Sequence, residues 1–227
     1  MKKLVVLTGA GISAESGLAT FRGSNGLWGK YRVEDVASIE GWYRNPELVL
    51  QFYNERRKEL LNCEPNAGHI GLANLESKFD VRIITQNVDD LHERAGSSNI
   101  IHLHGRLKWV RSERNENLRF ELSEDNFEIY LGDKASDGAQ LRPDIVWFGE
   151  AVPMLLPAIE WVEDADIFVI IGTSLNVYPA AGLLQYVRNG VPVYLIDPND
   201  VIDPYGKVTT FIKSVASEGV KILSETI

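Results

Sequence analysis

The residues best suited to chemistry are concentrated in one stretch, TQNVDDLHERAGSSNIIHLHG, which begins at Thr85. It contains the carboxamides of Gln86 and Asn87 and three of the chain's four histidines. An imidazole can act as a general base near neutral pH, and a carboxamide can both donate and accept hydrogen bonds to a polar ligand. His104 is the predicted base, because it ends an apolar run and precedes a glycine, where its ring can reach a ligand.

The other two histidines of this stretch are predicted to be structural. His102 lies two residues before His104, on the same face of the strand but deeper in the fold. His92 lies in the short helical segment DDLHERAG, where we expect a surface or capping residue. Asp89, at the start of that segment, could cap the helix as well as bind a ligand.

A glycine-rich loop follows the first apolar run of the chain. Its sequence, GAGISA, places Gly9, Gly11 and Ala14 in the G-x-G-x-x-G/A spacing of dinucleotide-binding proteins. Gly9 would permit a tight turn, and Gly11 would let backbone amides approach a pyrophosphate. A helix beginning near Ser13 would direct its N-terminus at the anion. The loop therefore predicts a dinucleotide ligand.

The sequence after this loop argues against ordinary hydride transfer. A dehydrogenase of this type has a second strand and then an acidic residue about 20 positions on, which holds the adenosine ribose. Asp35 lies near that distance, but no apolar run precedes it. The intervening segment, ESGLATFRGSNGLWGKY, is rich in glycine and carries an arginine and aromatic residues, as expected of a lid that excludes water from a reactive cofactor.

Six apolar runs determine the predicted fold class. They are rich in Val, Ile and Leu, and several are continuous, as in strands that are covered on both faces. Because helical patterns lie between some of them, we predict an α/β fold with a Rossmann-like, mostly parallel sheet flanked by helices. The runs are KLVVL near residue 5, VRIIT at 81, NIIHLH at 99, DIVWF at 144, IFVII at 167 and VPVYLI at 191. The polar residues that follow them predict one site beyond the carboxyl ends of the strands.

The segments between the runs predict two helices and the domain organisation. Asn45 would cap a helix with Pro46 in its first turn, and a second helix, YPAAGLLQYVRNG, would end at Gly190. The chain is predicted to form one domain, 1–227. Two insertions would form a smaller module beside the Rossmann-like core. The core comprises 1–20, 69–105 and 142–227, and the module comprises 21–68 and 106–141.

Composition and charge disfavour several classes of function. The chain is 44% hydrophobic and has a net charge of -9, which suits a basic peptide partner better than a nucleic acid. The single cysteine, Cys63, allows neither an intrachain disulfide nor a zinc site built on cysteines. No run approaches the ~20 apolar residues of a membrane span. We expect a cytoplasmic protein without nucleic-acid or membrane partners, and the oligomeric state stays open, a monomer included.

Five blocks of the sequence resemble the signature blocks of the sirtuins, a family of NAD-dependent protein deacylases. They occur in the family's order and span nearly the whole chain. The blocks are GAGISAESGLATFRG, TQNVDDLHERAG, HLHG, RPDIVWFGE and GTSLNVYPAA. The resemblance implies that the cofactor is NAD and that the substrate is an acylated lysine in a protein.

The resemblance also implies a reaction at the nicotinamide ribose. The amide oxygen of the acyl-lysine attacks the anomeric carbon, and nicotinamide leaves. A histidine base, His104 by the match to HLHG, then activates a ribose hydroxyl that attacks the resulting imidate. The products are free lysine, nicotinamide and 2'-O-acyl-ADP-ribose, and Asn87 is the second residue assigned to catalysis.

The motif matches assign further residues to the cofactor. Gln86, Asn87 and Asp89 match the pocket for the nicotinamide amide and ribose hydroxyls, whose donors and acceptors they complement. Arg22 matches a lid arginine that contacts the phosphate or ribose region. The adenosine half would be contacted by Asp197, Pro198 and Asn199, where the usual family residues differ, and by Ala216. The other cofactor assignments are Gly9, Ala10, Gly11, Ser13, Glu15, Phe21, Trp28, Gly172, Thr173 and Ser174.

Two further matches concern the substrate peptide and the fourth histidine. The substrate peptide would pair, by strand addition, with a segment that holds Val146, Trp147, Phe148 and Gly149. His69, in PNAGHIGL, resembles a family position with a packing role.

The small module departs from many members of the family, which bind zinc there through four cysteines. The stretch between His104 and Arg142 contains no cysteine and no histidine, which excludes a thiolate zinc site. The acidic residues of ELSEDNFEIYLGD would form a solvated face, so we expect no metal. Packing would hold the module instead, through Trp109, Phe120, Phe127 and Tyr130.

A second feature concerns the acyl group. Tyr53 and Arg56 lie three residues apart on one face of a helix and match a Tyr-x-x-Arg pattern of sirtuins that prefer acyl chains ending in a carboxylate. A phenol and a guanidinium can bind that carboxylate by charge-assisted hydrogen bonds, which predicts desuccinylase and demalonylase activity besides deacetylase activity. The alternative is an ordinary basic helix face, since Arg57 and Lys58 follow.

Two other functions stay open on the sequence. A mono-ADP-ribosyltransferase would use the same NAD cleavage with a different acceptor, and the identity of the ribosyl product would separate the two. A non-catalytic NAD sensor would be favoured by loss of the histidine or the asparagine, and both are present.

Overall fold

Two β-sheets and the helices around them organise the chain. The computed structural model describes residues 1–19 and 31–227, and the elements below are those of these two ranges. The strands are β1 (Lys3–Thr8), β2 (Asp80–Thr85), β3 (Ile100–His102), β4 (Gly105–Ser112), β5 (Arg119–Glu121), β6 (Leu141–Ile145), β7 (Ile167–Ile171), β8 (Val193–Ile196) and β9 (Thr210–Ile212). The α-helices are α1 (Val33–Val36), α2 (Ile39–Arg44), α3 (Pro46–Leu60), α4 (Ala67–Leu75), α5 (Leu91–Arg94), α6 (Leu155–Glu163) and α7 (Ala216–Thr226). Two 3₁₀ helices cover Ala10–Ser16 and Ala180–Tyr186.

The larger sheet has six parallel strands in the order β3-β2-β1-β7-β8-β9. Its central strands are apolar on both faces. Leu4 and Val6 of β1 pack with α4 and α7, whereas Val5 and Leu7 pack with α6 and the second 3₁₀ helix. Full burial of each such side chain stabilises the fold by roughly 1.5–3 kcal/mol, so both faces must stay covered. The predicted Rossmann-like α/β fold is confirmed.

The strand assignment differs from the prediction at two places. The run near residue 144 is not part of the parallel sheet: β6 pairs antiparallel with β4 in a second, three-stranded sheet of order β5-β4-β6. That prediction is wrong, because an apolar run shows only that a strand is buried, and β6 buries Leu141 and Ile145 in the apolar cluster of the second sheet. The sixth place in the parallel sheet belongs to β9, where Thr210 and Phe211 are exposed and no apolar run marks the strand.

The second sheet packs against α1, α2 and α3 around its own apolar cluster. Phe120 and Tyr130 were predicted to hold this module, but they are 47% and 57% exposed, and that prediction is wrong. Trp109 and Phe127 are half-buried. The buried apolar side chains that β4, β6 and the segment between β5 and β6 contribute to this cluster are aliphatic: Leu107, Val110, Leu122, Ile129, Leu141 and Ile145. The limits of the module along the chain stay a prediction.

Two polar side chains of α3 also bind the second sheet and its loops. Asn54 donates to the carbonyl of Ile129 at 3.0 Å and accepts from its N–H at 3.1 Å, and Arg57 donates to the carbonyl of Leu107 at 2.8 Å. Arg57 also donates to Asn54 at 2.7 Å, so the two side chains act together. In the described residues, no group of three or more His, Cys, Asp or Glu side chains could hold a metal ion.

The helix ends follow local capping. Asn45 accepts from the N–H of Leu48 at 3.1 Å, and Pro46 starts α3, as predicted. The second predicted helix is the 3₁₀ helix that ends at Tyr186, because Val187 is already extended, so Gly190 does not cap it. Within 1–19 and 31–227, none of the helices has the length and apolar character needed to cross a bilayer.

Candidate active site

A cavity of about 670 Å³ lies beyond the carboxyl ends of the parallel strands and extends to α3 and the segment after β6. Its size is that of a small-molecule binding site. Most residues predicted for the site line it. These are Gly9, Ala10, Gly11, Tyr53, Arg56, Gln86, Asn87, His104, Val146, Trp147, Phe148, Gly149, Gly172, Thr173, Ser174, Asp197 and Asn199.

Other predicted residues lie elsewhere. Ser13 and Asp89 are buried and are linked to the cavity through Asn87. Glu15 accepts from the N–H and the hydroxyl of Ser217, at 2.9 and 2.6 Å, beside the buried Ala216 at the start of α7. Pro198 is not among the lining residues. Phe21, Arg22 and Trp28 lie outside the described residues.

His104 follows β3 at the edge of the cavity. Its Nδ1 lies 3.0 Å from the carbonyl oxygen of Gln86, so Nδ1 carries the proton and donates it to that carbonyl. Nε2 is then the basic nitrogen. Burial lowers the pKa of His104 and the bond to Gln86 opposes this, with a net lowering, so the ring is neutral at pH 7. A neutral imidazole with an unprotonated Nε2 can accept a proton from a bound hydroxyl.

A buried hydrogen-bond network holds Asn87. Its Nδ2 donates to the hydroxyl of Ser13 at 3.1 Å, and that hydroxyl donates to Asp89 at 3.0 Å. His69 contacts the same hydroxyl through Nε2 at 3.4 Å, and its Nδ1 accepts from the N–H of Asn66 at 3.3 Å. Burial lowers the pKa of His69 to about 4 and raises the pKa of Asp89. A neutral His69 therefore donates to Ser13, and the network fixes the carboxamide of Asn87.

The two remaining histidines have structural positions. His102 is buried, and its Nε2 lies 2.7 Å from Glu93, in agreement with the prediction. His92 is also buried, and its Nε2 lies 3.1 Å from the hydroxyl of Thr8. Its predicted place at the surface or in a helix cap is therefore wrong, because α5 turns this ring into the protein, where burial lowers its pKa.

The glycine loop after β1 packs on the loop after β7. The N–H of Gly11 donates to the carbonyl of Gly172 at 2.8 Å, and a Cβ on Gly11 would lie 2.5 Å from the Cα of Gly172. A Cβ on Gly9 would lie 2.7 Å from the carbonyl oxygen of Gly172. These glycines are thus required by loop-to-loop contact, which the spacing did not predict. The following helix begins at Ala10, earlier than the predicted start near Ser13.

A chain of contacts joins Tyr53 of the predicted acyl pocket to the segment after β6, with which the substrate peptide is predicted to pair. The phenol oxygen of Tyr53 accepts from Nε1 of Trp147 at 2.9 Å, and the guanidinium of Arg142 stacks 3.5 Å from the centre of the Trp147 ring. Arg142 donates to Glu150 with both terminal nitrogens, at 2.8 and 2.9 Å. Burial raises the pKa of Tyr53, which stays a neutral phenol. Its O–H proton can therefore be donated to a ligand.

The two neighbouring arginines of α3 point to different surroundings. Arg56 lines the cavity, and its Nη1 lies 2.5 Å from Oε2 of Glu59. Arg57 is buried against β4 through its bond to Leu107. Only Lys58 of this basic run is exposed. An ordinary basic helix face therefore does not describe these residues.

The segment after β6 is already paired on one side. The N–H of Phe148 donates to Ala37 at 2.9 Å, and its carbonyl accepts from Ile39 at 3.3 Å. The N–H of Val146 donates to His104 at 3.0 Å. A substrate strand would have to pair with other groups of this segment, such as the carbonyl of Val146 and the amide of Gly149.

Several cavity residues were not singled out from the sequence. Most are apolar and come from α1, α3, β4 and the loop after Ser174, whose positions depend on packing between distant parts of the chain. Five of them had a signal, since they belong to quoted blocks: Val88 to TQNVDDLHERAG, Ile145 to RPDIVWFGE, and Val177, Tyr178 and Pro179 to GTSLNVYPAA. The residues are Val33, Glu34, Ala37, Phe52, Val88, Leu107, Ile145, Val152, Val177, Tyr178 and Pro179.

Comparison with known sequences gives consistent matches. Residues 9–179 match the model of the Sir2 family. A protein of Bacteroides thetaiotaomicron named NAD-dependent protein deacylase is 60% identical, with 99% of this chain and 97% of that protein aligned. A Helicobacter pylori protein with the same name is 57% identical, over 87% of this chain and 85% of that protein.

Solved structures show the same similarity. A Sir2 homologue in complex with ADP-ribose has a TM-score of 0.90 and 41% identity, and the match covers 99% of this chain and 93% of that chain. A Sir2 protein with a p53 peptide and NAD+ has a TM-score of 0.82 and 33% identity, over 98% of this chain and 92% of that chain.

Proposed function

Since this chain belongs to the Sir2 family and is an NAD-dependent enzyme of that kind, we propose that it removes acyl groups from lysine side chains of proteins. The proposed reaction consumes NAD and one water molecule, and its products are free lysine, nicotinamide and 2'-O-acyl-ADP-ribose. The observation that carries this proposal is the neutral imidazole of His104, which faces a cavity together with the carboxamides of Gln86 and Asn87.

The residues of the cavity suit NAD. The carboxamides of Gln86 and Asn87 can pair with the nicotinamide amide and ribose hydroxyls. Gly172, Thr173 and Ser174 would hold the middle of the cofactor, and Asp197 and Asn199 its adenosine half. When bound, NAD supplies the leaving nicotinamide and the ribose hydroxyl that receives the acyl group.

His104 performs the proton transfer in this proposal. Its Nε2 accepts the proton of a ribose hydroxyl, and the carbonyl of Gln86 stabilises the imidazolium through Nδ1–H. Asn87 orients the reacting ribose, because the bond to Ser13 leaves its carboxamide little freedom to rotate. Such preorganised groups stabilise a transition state without reorganisation at the moment of reaction.

The acyl chain is proposed to extend toward Tyr53 and Arg56. A distal carboxylate would accept from the phenol O–H and the guanidinium, both of which line the cavity. A shorter, neutral acetyl group would make neither bond. We therefore propose desuccinylase and demalonylase activity in addition to deacetylase activity.

Mass spectrometry of the reaction with NAD tests this function on two matched peptides, one with acetyl-lysine and one with succinyl-lysine. Release of acyl-ADP-ribose from both peptides is the expected result. Arg56→Met should lower turnover of the succinyl peptide about tenfold more than turnover of the acetyl peptide. Arg44→Met, a change in an exposed arginine of α2, is the control and should leave the ratio unchanged.

Two results would contradict the proposal. ADP-ribose attached to protein, with no acyl ester formed, would assign the chain to mono-ADP-ribosyl transfer. Equal losses on the two peptides in Arg56→Met would remove the acyl-pocket assignment while leaving the deacylase intact.

A further inference from the structure

We propose that Glu59 sets the balance between neutral and acidic acyl chains by acting as an internal carboxylate partner of Arg56. The proposal rests on the acyl-pocket function assigned above to Tyr53 and Arg56. Its basis is the ion pair on α3, in which Nη1 of Arg56 lies 2.5 Å from Oε2 of Glu59.

The two members of this pair differ in burial. The side chain of Arg56 is 9% exposed, whereas that of Glu59 is 51% exposed. A guanidinium so far from water needs a compensating negative charge or strong acceptors. Glu59 supplies that charge from the solvent side of the helix, one turn after Arg56. The pair therefore carries no net charge.

A distal acyl carboxylate is chemically the same group as the Glu59 side chain. Both accept from the planar fork of a guanidinium, so both compete for Arg56. A neutral chain leaves the ion pair undisturbed. An acidic chain brings a second carboxylate to a cation that already has one, and the cluster then carries a net negative charge. Glu59 is thus expected to disfavour acidic chains and to leave neutral chains unaffected.

Glu55 offers a matched comparison on the same helix. It lies one turn before Glu59 and carries the same charge, but its carboxylate accepts from the hydroxyl of Tyr31 at 2.9 Å and from Gln51 at 3.0 Å. Removing the Glu55 charge therefore repeats the change in net charge of α3 without removing the partner of Arg56.

The experiment measures kcat/KM for Glu59→Gln and Glu55→Gln on peptides with succinyl-lysine and butyryl-lysine. These acyl groups have the same four-carbon length and differ only in a terminal carboxylate or methyl. Glu59→Gln should raise the succinyl-to-butyryl ratio about tenfold, through a lower KM for the succinyl peptide. Glu55→Gln should leave that ratio within about twofold of the wild-type value.

Arg56→Met separates failure of this inference from failure of the acyl-pocket assignment. If Arg56→Met lowers the succinyl-to-butyryl ratio and Glu59→Gln leaves that ratio unchanged or lowers it, Glu59 has no such role and the pocket assignment stands. If Arg56→Met does not alter the ratio, both proposals are wrong. Glu59→Ala is the second variant and should change the ratio in the same direction as Glu59→Gln. Both variants should lower the thermal midpoint, because Arg56 loses its compensating charge.

Discussion

The imidazole of His104 is bonded through Nδ1 to the main-chain carbonyl of Gln86, at 3.0 Å. This bond couples the proposed base to the loop after β2 that carries the predicted nicotinamide pocket. Because the acceptor is a main-chain atom, no substitution at residue 86 can remove it without moving the backbone. The tautomer of His104 is therefore determined by the sheet itself.

His104→Ala should lower kcat/KM by about a thousandfold, the usual contribution of a positioned general base. The base acts in its neutral form, and burial lowers its pKa, so the acid limb of the wild-type kcat/KM profile should lie below the ordinary histidine value of about 6.5. Rates measured between pH 5 and 8 check this, with NAD binding and thermal unfolding as controls for the variant. An acid limb above pH 7, or full activity in His104→Ala, would remove this residue as the base.

Gly105→Ala should damage both stability and activity. Gly105 has a φ of +84°, and a Cβ there would lie 2.0 Å from the carbonyl oxygen of Asp144. The left-handed conformation alone costs a residue with a side chain about 1–2 kcal/mol, and the clash should at least double that loss. The backbone shift should also displace the adjacent His104 and lower kcat.

Gly96→Ala is the control for this change. Gly96 has a φ of +100°, but a Cβ there meets nothing within 4 Å. Gly96→Ala should lose only the roughly 1–2 kcal/mol that the left-handed conformation costs, and it should keep the wild-type kcat. Denaturant unfolding of both variants measures the difference, and equal losses would show that the contact with Asp144 is unimportant.

Asn54→Ala should destabilise the fold by about 3 kcal/mol. The change leaves the N–H and carbonyl of Ile129 and one nitrogen of Arg57 without their buried partner. Phe120→Thr, in the exposed strand β5, should change the free energy of unfolding by no more than about 0.5 kcal/mol. Denaturant unfolding measures both changes. A larger loss of unfolding free energy in Phe120→Thr than in Asn54→Ala would show that the exposed aromatic residues stabilise the smaller module after all.

Stability should fall as the pH drops below about 6.5. Burial lowers the pKa of His69 to about 4 in the folded protein. As the pH falls, the unfolded chain therefore binds a proton at this histidine first, which stabilises the unfolded state relative to the folded one. The stabilisation is complete when the pH lies above the pKa of His69 in the unfolded chain. It is lost as the pH falls toward the pKa of His69 in the folded protein. His69 alone accounts for about 2 kcal/mol between pH 7.5 and 5. Unfolding free energies measured across this range should show a smaller slope in His69→Gln than in the wild type.

The parallel sheet could be predicted from sequence because its strands are buried on both faces and leave continuous apolar runs. The second sheet could not, because β4 alternates buried residues with charged ones such as Arg106, Lys108 and Arg111 and looks like a polar segment. The run that continues from β6 was then assigned to the wrong sheet. An apolar run shows that a strand is buried, but it does not identify its neighbour.

The site was predictable to the extent that strand ends determine it. His104, Gln86, Asn87 and the loop at Gly172 follow parallel strands, whose carboxyl ends meet at one edge. The bond between Tyr53 and Trp147 joins residues 94 positions apart, and no local pattern signals it. The burial of His92 likewise depends on a hydroxyl from β1, far away in the chain.

The close contact between the loops after β1 and β7 has a consequence for how this sequence can vary. A methyl group on Gly11 would strike the backbone of Gly172, and a methyl group on Gly172 would strike the backbone of Gly11 and Ile12. Since each obstacle is main chain, no smaller side chain elsewhere can make room for either change. Neither position can therefore accept a side chain, whichever of the two changes first. A change in the shape of the cavity must therefore come from its other lining residues, such as those on α3 and in the segment after β6.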